Sequence, residues 1–372
     1  MSAIAAAWSR WLAVGTVVMV GGLEAGLPVP APVVLVIAGI GFLAGVPHGA
    51  LDHVVATRLT EGRPVALIIA VYAGTAVAAW ALLQWAGPMA LLAVVLLSAL
   101  HFGLGELEVT RQLTGWRSGR LAAVATGIAG CGALILPLAR SGDQLSGVAA
   151  AVSPGLAPVI GAAPVHIGLF VTWIGAALIA VTASLRSGHP AVALDIVLIG
   201  ALGMLVPPLV AFAVWFGGWH ALRHSARVLG VEPGCAALLA TGRRRAAVVR
   251  FAALAALPSI AALTTVGALG WFAVAATDPT AVVAEILRLL LALTVPHVVV
   301  VLWLDRRGTR ETELQQRKCE KGPAGIPFRR GARRGRGARR GRGRRARHGL
   351  AAATSKCETV VSRSTRYSSS SG

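Results

Sequence analysis

Lysine, cysteine and charge in general are scarce in this chain. Only 13 % of its 372 residues are charged, and its three lysines, Lys318, Lys321 and Lys356, all lie near the C-terminus. Rhodopsin-type proteins hold a chromophore as a Schiff base on a lysine inside a membrane span, so that class is excluded. The four cysteines form no CxxC pair or other metal-binding spacing, so neither a disulfide framework nor a thiolate metal site is indicated.

Hydrophobic residues, by contrast, make up 56 % of the chain, and the mean hydropathy is +0.72. Apolar runs of about 18 residues or more recur as far as Trp303, which is typical of a polytopic, all-α transmembrane helical bundle. The first run has no small-residue cleavage site, so we expect a retained helix instead of a removed signal peptide.

The basic charge is concentrated in a C-terminal tail, residues 306–372. This tail has a net charge of +16, whereas residues 1–305 have only +4. Its Arg/Gly/Ser-rich sequence lacks the apolar residues that a folded core needs. We therefore predict a transmembrane domain over residues 1–305 followed by a disordered cytoplasmic tail. Binding of anionic lipid or RNA is the alternative to a merely solvated tail, and we expect no nucleic-acid partner.

The apolar runs divide into about ten candidate spans of roughly 20 residues each. The seventh and eighth are separated at Pro207 and Pro208, because two adjacent prolines remove two backbone donors and stop a straight helix. The predicted spans are 8–27, 31–50, 64–85, 88–106, 120–138, 166–185, 190–206, 208–228, 247–275 and 280–304.

The distribution of arginine orients these spans. Connections that contain arginine alternate with connections that contain none, apart from Arg140 in the loop 139–165. By the positive-inside rule the arginine-bearing connections are cytoplasmic. Ten spans with both termini in the cytoplasm fit this alternation, so we predict a multi-pass protein of the cell membrane.

Six of the nine histidines lie in the C-terminal halves of even-numbered spans. Because every even span runs from outside to inside, these six share one depth near the cytoplasmic face. They are His48 and His53 on the second span, His101 on the fourth, His220 and His224 on the eighth, and His297 on the tenth. Polar side chains are costly at such a depth, so imidazoles gathered there from four helices indicate a site.

Two motifs suggest how these histidines are used. In WHALRH, His220 and His224 lie four residues apart on one helix face, where both can reach one metal ion. In PHGALDH, Asp52 lies one helical turn beyond His48, where its carboxylate can accept the ring N–H. His48 and His53 are about 140° apart around a helix, so we expect that they do not both bind the same ion, with His53 the weaker candidate.

Imidazole nitrogen favours iron, zinc or copper over magnesium or calcium. A site made mainly of histidines keeps the charge of the ion and can leave coordination positions open. At membrane depth the natural substrate is itself lipophilic, and an Fe(II) site with an open position can bind O₂ and attack a double bond. The residues alone do not name that substrate.

Four motifs together resemble a known family. PHGALDH, HFGLGE, WFGGWHALRH and PHVVVVLWLDRR, all within about residues 40–305, resemble the histidine motifs of the Brp/Blh family. Members of this family are membrane β-carotene 15,15′-dioxygenases that cleave β-carotene with O₂ into two molecules of retinal and supply it to rhodopsins. The resemblance implies the same reaction here, with Fe²⁺ as cofactor, β-carotene and O₂ as substrates, and delivery of retinal to a rhodopsin.

Carried over residue by residue, the resemblance also implies a ligand set. The implied iron ligands are His48, His101, His220 and His224. The supporting residues or alternative ligands are Asp52, His53, Glu106 and His297. The first ligand is either His48 or His53, and we prefer His48 because Asp52 can orient it.

Aromatic residues lie close to the predicted ligands in the sequence. They are Phe102, Trp215, Phe216 and Trp219. Flat aromatic faces suit a conjugated polyene, so these residues are candidates for a substrate channel. The alternative is the usual aromatic belt at a membrane surface.

Other classes of function match the sequence less well. Di-iron membrane desaturases and hydroxylases have clustered HxxxH and HxxHH boxes, whereas this chain has a single HxxxH. Two haems across a bilayer would need histidine pairs at two depths. A transporter would show charged or broken helices at the midplane, for which Asp195 and the proline pair are the hints. A haem-binding or ion-transporting protein, or an oxygenase with another carotenoid or cleavage position, stays as the alternative.

The predicted topology can be tested with reporter fusions. A reporter fused after Pro30 should lie outside the cell and one fused after Arg63 inside it, because the intervening span ends in an arginine-bearing connection. Alkaline phosphatase and fluorescent-protein fusions measure the two sides. An external signal at Arg63 would contradict the ten-span arrangement and the shared depth of the histidines.

Overall fold

The computed structural model describes residues 1–60, 63–140, 150–153, 155, 157–274 and 279–321. These residues form helices and connecting turns, with no β-strand among them, which confirms the predicted all-α bundle. The helices are α1 (Ser2–Gly26), α2 (Ala31–Leu59), α3 (Val65–Trp85), α4 (Gly87–Thr114), α5 (Arg120–Gly130), α6 (Gly132–Ala139), α7 (Ala157–Ile160), α8 (Ala163–Arg186), α9 (Pro190–Leu205), α10 (208–231), α11 (Pro233–Ala240), α12 (Arg244–Val274) and α13 (Pro279–Lys321).

Proline and glycine set several of the helix boundaries. Pro190 and Pro208 occupy the first turns of α9 and α10, where a missing backbone N–H leaves no hydrogen bond unmade. Gly115 follows α4 with a φ of 72°, a left-handed conformation that glycine adopts without strain. The predicted division of the long apolar run at Pro207 and Pro208 is therefore a true helix boundary.

Each of the ten predicted spans corresponds to one helix, or in one case to a helix pair. By length and composition, seven described helices can cross a membrane. They are α1, α2, α3, α4, α8, the Arg244–Thr265 part of α12 and the Ala284–Arg307 part of α13. Helix α9 is apolar but only 16 residues long, and α10 has histidine and arginine side chains in its C-terminal half. The count of ten therefore stays a prediction.

The predicted span 120–138 is not a single straight helix. It consists of α5 and α6, which meet at Cys131 with a bend of 60°. Gly130 and Gly132 flank the bend, and a Cβ at either position would lie under 3 Å from a neighbouring side chain, Glu106 or Trp173. These glycines therefore let α4 and α8 pack directly against the bend. Counting the bent pair as one span raises the number to eight.

The predicted boundary after residue 305 falls inside α13, which continues to Lys321. Residues 322–372 of the predicted disordered tail lie outside the described part of the chain. The described chain divides into two compact units, and the candidate site lies wholly within the first, Met1–Val300.

Helices α2 and α10 approach each other so closely that their backbones touch. A Cβ added at Gly41 would lie 2.6 Å from the carbonyl oxygen of Ala213, and one added at Gly217 would overlap the carbonyl oxygen of Gly41. This contact depends on the absence of side chains, because backbone atoms cannot move aside independently. It matters for the site because α2 and α10 contain three of the clustered histidines.

We expect Gly41→Ala to destabilise the protein by about 1–3 kcal/mol, the usual cost of forcing an extra methyl group into a packed interface. Gly39→Ala is the matched control, since a Cβ at Gly39 meets nothing within 4 Å. Thermal unfolding of the two purified variants in the same detergent makes the comparison. Equal midpoints would show that the α2–α10 contact is not tight.

Candidate metal centre

Five imidazole rings from four helices meet inside the bundle. We call them the imidazole cluster, and its members are His48 on α2, His101 on α4, His220 and His224 on α10, and His297 on α13. Neighbouring ring centroids in the cluster are 4.7 to 6.3 Å apart. Four of these side chains are at most 4 % exposed, and His48 is half-buried. The structure thus brings together every histidine of the implied ligand set and adds His297.

The tightest part of the cluster consists of His48, His101 and His220. One ring nitrogen from each lies within 4.8 Å of the corresponding atoms of the other two. Nitrogens on opposite sides of one metal ion are about 4 Å apart, since metal–imidazole bonds are about 2.0–2.1 Å long. The spacing of these three side chains therefore fits a shared ion after small movements. The rings of His224 and His297 lie next to them.

The local backbone of α2 turns His48 into the bundle. The segment Val46–Gly49 is a 3₁₀ turn that begins next to Pro47 and interrupts the α-helix. The ring Nδ1 of His48 donates a hydrogen bond to the carbonyl of Gly45, three residues earlier. Because a carbonyl can only accept, Nδ1 holds the proton and the lone pair is on Nε2.

The expectation that Asp52 orients His48 is wrong. It assumed a continuous α-helix, in which residues four apart share a face, but the 3₁₀ turn changes that register. The carboxylate of Asp52 instead accepts a hydrogen bond of 2.7 Å from Nδ1 of His297. It also accepts one of 2.9 Å from the hydroxyl of Tyr72 on α3.

His220 and His224 lie in an irregular part of α10. His220 belongs to the π-helical segment Trp215–Ala221, and His224 follows in the α-helical segment Leu222–Val231. Their rings are nearly parallel, 18° apart in plane and 6.0 Å between centroids, so both face the same side of the helix. Single π-helical turns are frequent at functional sites because they shift side chains out of the regular register.

His297, predicted as a supporting residue or alternative ligand, is a full member of the cluster. Its ring centroid lies 4.7 Å from that of His48 and 4.8 Å from that of His101. The sequence contains a signal for it, because the tripeptide VPH occurs at residues 46–48 and again at 295–297. In both places a proline, which has no N–H to donate, precedes the histidine. The α-helix is interrupted at the first of them and continuous at the second.

The buried nitrogens of the cluster fit a metal ion. Nε2 is buried and makes no hydrogen bond to any described residue in His101, His220, His224 and His297. A buried polar atom without a partner costs about 1–3 kcal/mol, so four at one point call for a common partner. Neutral imidazole nitrogens are good ligands for iron, zinc and copper.

His53 lies apart from this arrangement. It is half-buried, and its Nδ1 donates to the carbonyl of Ala50 at 2.9 Å. Among the described residues, no ring of the cluster contacts the His53 ring. Of the two candidates for the first ligand, the geometry favours His48.

Glu106 and Asp195 belong to a buried ion network beside the cluster. The guanidinium of Arg223 lies 3.1 Å from Asp195 and 3.5 Å from Glu106, and its Nε donates to the hydroxyl of Ser9 at 2.8 Å. Arg10 donates to the same Asp195 carboxylate at 2.6 Å. We call these five residues the Arg223 network. Glu106 and Asp195 thus both pair with arginine.

The aromatic residues divide into two groups. Trp215 and Trp219 are at most 1 % exposed, so the alternative of a membrane-surface belt is wrong for them. Trp219 stacks under the Arg223 guanidinium, 3.7 Å from ring centroid to carbon. Phe102 and Trp215 contact the His220 ring, with centroids at 4.8 and 5.6 Å.

The second group is an aromatic strip formed by Phe42, Phe212 and Phe216. All three are half-buried, and their ring centroids are 5.8 to 6.2 Å apart. Phe216 also contacts the ring of His48 at 5.3 Å. The strip therefore leads along α2 and α10 directly to the most exposed member of the imidazole cluster. Phe42 and Phe212 are additions to the sequence analysis.

Comparison with known proteins gives this site its context. The family model described as β-carotene 15,15′-dioxygenase matches residues 39–305. The chain belongs to the β-carotene 15,15′-dioxygenase family. This membership confirms the resemblance to the Brp/Blh family drawn from the four histidine motifs. The matched range contains every member of the imidazole cluster and ends before the basic tail.

Two relatives illustrate the family. A protein of Halobacterium salinarum named "Probable beta-carotene 15,15'-dioxygenase Blh" is 30 % identical over 287 residues, which cover 70 % of this chain and 81 % of the relative. A protein of an uncultured marine bacterium, 66A03, named "Beta-carotene 15,15'-dioxygenase" is 25 % identical over 184 residues, which cover 48 % of this chain and 64 % of the relative. No solved structure matches the chain.

The Arg223 network generates a prediction about stability. We expect Arg223→Ala to lower the free energy of unfolding by about 3–5 kcal/mol, because it leaves the buried Glu106 carboxylate without its countercharge and Asp195 with Arg10 alone. Arg111→Ala is the control, since Arg111 and Glu108 form a partly exposed pair 3.9 Å apart that is worth about 1 kcal/mol at most. Denaturant titration of both variants in detergent compares them. Similar losses would show that Arg223 is not a central residue of the network.

Proposed function

We propose that this protein cleaves β-carotene at its central 15,15′ double bond with O₂, at an iron ion held by the imidazole cluster. The double bond breaks, and each of its two carbons receives one oxygen atom, so the products are two molecules of retinal. No further reductant is needed, since both atoms of O₂ enter the products. Membership of the β-carotene 15,15′-dioxygenase family supports this substrate and this reaction.

One observation carries the metal part of the proposal. The four buried Nε2 atoms without hydrogen-bond partners among the described residues lie in one cluster. Buried polar groups are otherwise satisfied by a hydrogen bond, an ion pair or a metal. His48, His101, His220 and His224 would hold the ion, and His297 lies close enough to join them. Iron bound there would supply the reaction with O₂ that protein side chains cannot carry out alone.

The side chains around the cluster have distinct roles in this proposal. Phe102 and Trp215 pack against His220 and keep water from that side of the site. The aromatic strip of Phe42, Phe212 and Phe216 offers flat apolar faces to one half of a polyene. Because His48 and the strip are half-buried whereas the other imidazoles are buried, we infer that the substrate reaches the cluster along α2 and α10.

The alternative of a haem protein agrees less well with this geometry. Haem iron is bound by its macrocycle and by one or two side chains, which approach from the faces of the macrocycle. In the imidazole cluster, rings from four helices contact one another directly. A macrocycle placed between any two of these rings would occupy the space that the other rings fill. A single ion with several histidine ligands accounts for the cluster without moving any helix.

The lipid bilayer and the orientation of the chain are part of the same proposal. The exposed faces of the apolar helices suit a bilayer, which is also where β-carotene dissolves. Both termini would be cytoplasmic in the cell membrane, as the arginine distribution predicts. The retinal product would then leave through the bilayer, from which a rhodopsin can take it up.

We expect alanine at His48, His101, His220 or His224 to abolish retinal formation and to lower the iron content of the purified protein. Each change removes a nitrogen donor that no neighbouring residue can replace. Expression in bacteria that accumulate β-carotene measures activity by loss of colour and by retinal yield. Metal analysis of the same purified variants measures iron.

His53→Ala is the matched control for His48→Ala, because the two residues lie in the same motif but only His48 is in the cluster. We expect His53→Ala to keep its iron and most of its activity. Full iron and activity in His220→Ala would contradict the proposed site. Zinc or copper in place of iron in the active wild-type protein would contradict the choice of metal alone.

A further inference from the structure

We propose that Asp52 and Tyr72 are positioning residues that hold His297 as an additional ligand of the metal. We call Asp52, Tyr72 and His297 the Asp52 arm. The inference rests on the proposed metal site and adds a fifth imidazole to it, oriented by a carboxylate and a phenol. Neither the four histidine motifs nor the family resemblance gave Tyr72 any role.

The geometry of the arm is simple. A single carboxylate oxygen, Oδ2 of Asp52, accepts both hydrogen bonds, from Nδ1 of His297 at 2.7 Å and from the Tyr72 hydroxyl at 2.9 Å. Asp52 is 5 % exposed and His297 is 4 % exposed. The three residues lie on α2, α3 and α13, so the arm joins three helices at the edge of the imidazole cluster.

Hydrogen bonds and a helix N-terminus compensate the buried negative charge of Asp52. A buried carboxylate needs hydrogen bonds or positive charge to offset its desolvation. Two donors supply the hydrogen bonds here, and Asp52 is also the first residue of the helical segment Asp52–Leu59, where the helix dipole favours a negative charge. Tyr72, one of only two tyrosines in the chain, likewise finds the polar partner that a phenol needs inside an apolar helix.

The arm also fixes the state of the His297 ring. A carboxylate only accepts, so Nδ1 of His297 holds the proton and Nε2 has the lone pair. That Nε2 atom is buried and has no hydrogen-bond partner among the described residues. Carboxylate–histidine pairs of this kind orient metal ligands and make the ring a better electron donor.

Gly49 is fitted to this arm. A Cβ at Gly49 would lie 3.3 Å from Nδ1 of His297 and 3.5 Å from Oδ2 of Asp52. The backbone of the 3₁₀ turn therefore lies close to the hydrogen bond between them, with little room for a side chain at residue 49. This contact gives the PHGALDH motif a physical meaning: His48 faces the cluster, Gly49 covers the hydrogen bond, and Asp52 makes it.

The test measures metal affinity and does not depend on catalysis. We expect Tyr72→Phe and Asp52→Asn to weaken binding of Fe(II) or Co(II) by about 10–100-fold and to shift the absorption bands of bound Co(II). Thr75→Val is the control for Tyr72→Phe, since the Thr75 hydroxyl lies one turn along α3 and donates only to its own helix, at Val71. Titration of the purified apo-proteins gives the affinity, and thermal midpoints without metal separate loss of fold from loss of orientation.

The outcomes distinguish this inference from the proposed function. If His101→Ala loses the metal while Tyr72→Phe and Asp52→Asn retain wild-type affinity and Co(II) spectrum, the metal site stands and the Asp52 arm is refuted. If the wild-type protein binds neither Fe(II) nor Co(II), both the proposed metal site and the proposed role of the Asp52 arm are refuted. Weaker binding and an altered spectrum in both arm variants, with normal metal-free midpoints and an unaffected Thr75→Val, would establish the arm.

Discussion

Four imidazole nitrogens are buried at one point of an apolar bundle and have no hydrogen-bond partner among the described residues, and the rest of this structure depends on that constraint. Leaving them so would cost several kcal/mol in total at about 1–3 kcal/mol each, a large share of the stability of an ordinary fold. A metal ion bound as proposed would accept these lone pairs, remove this cost and link α4, α10 and α13, and His48 would join α2 to them. On this account the same bonds serve stability and chemistry, which explains why the helices converge there.

The backbone is irregular where the cluster requires it. His48 lies in a 3₁₀ turn and His220 in a π-helical turn, whereas His297 follows Pro296 within the continuous α-helix α13. A regular helix shows a given face only every third or fourth residue, so an added or tightened turn re-aims a side chain that would otherwise face lipid or a neighbouring helix. The close contact of α2 with α10 through Gly41 and Gly217 then brings the first two of these turns together.

The sequence predicted the helices well because membrane helices need long apolar runs. It also predicted that histidines gather, because six of them lie in the C-terminal halves of even-numbered predicted spans; five of the six meet in the structure, and His53 lies apart. It failed where the register departs from an ideal helix. The pairing of Asp52 with His48 assumed an α-helix through residues 46–49. The bend at Cys131 is flanked by Gly130 and Gly132, and the need for glycine there becomes visible only when the packed side chains of other helices are known. The partners of Asp52 and Arg223 come from helices far away in the chain, and no local pattern reports such contacts.

The imidazole cluster has two kinds of neighbour, the charged Arg223 network and the aromatic strip. Arg223 is tied to α1, α4 and α9 through Ser9, Glu106 and Asp195, so that side of α10 is closed by ion pairs that would be costly to open. Among the described residues, no ion pair involves the aromatic strip on α2 and α10. The strip is half-buried and lies next to His48, the one half-buried imidazole in the cluster. In the proposed function, a lipophilic substrate would reach the cluster along the strip, and the Arg223 network would hold the histidine-bearing part of α10 in place.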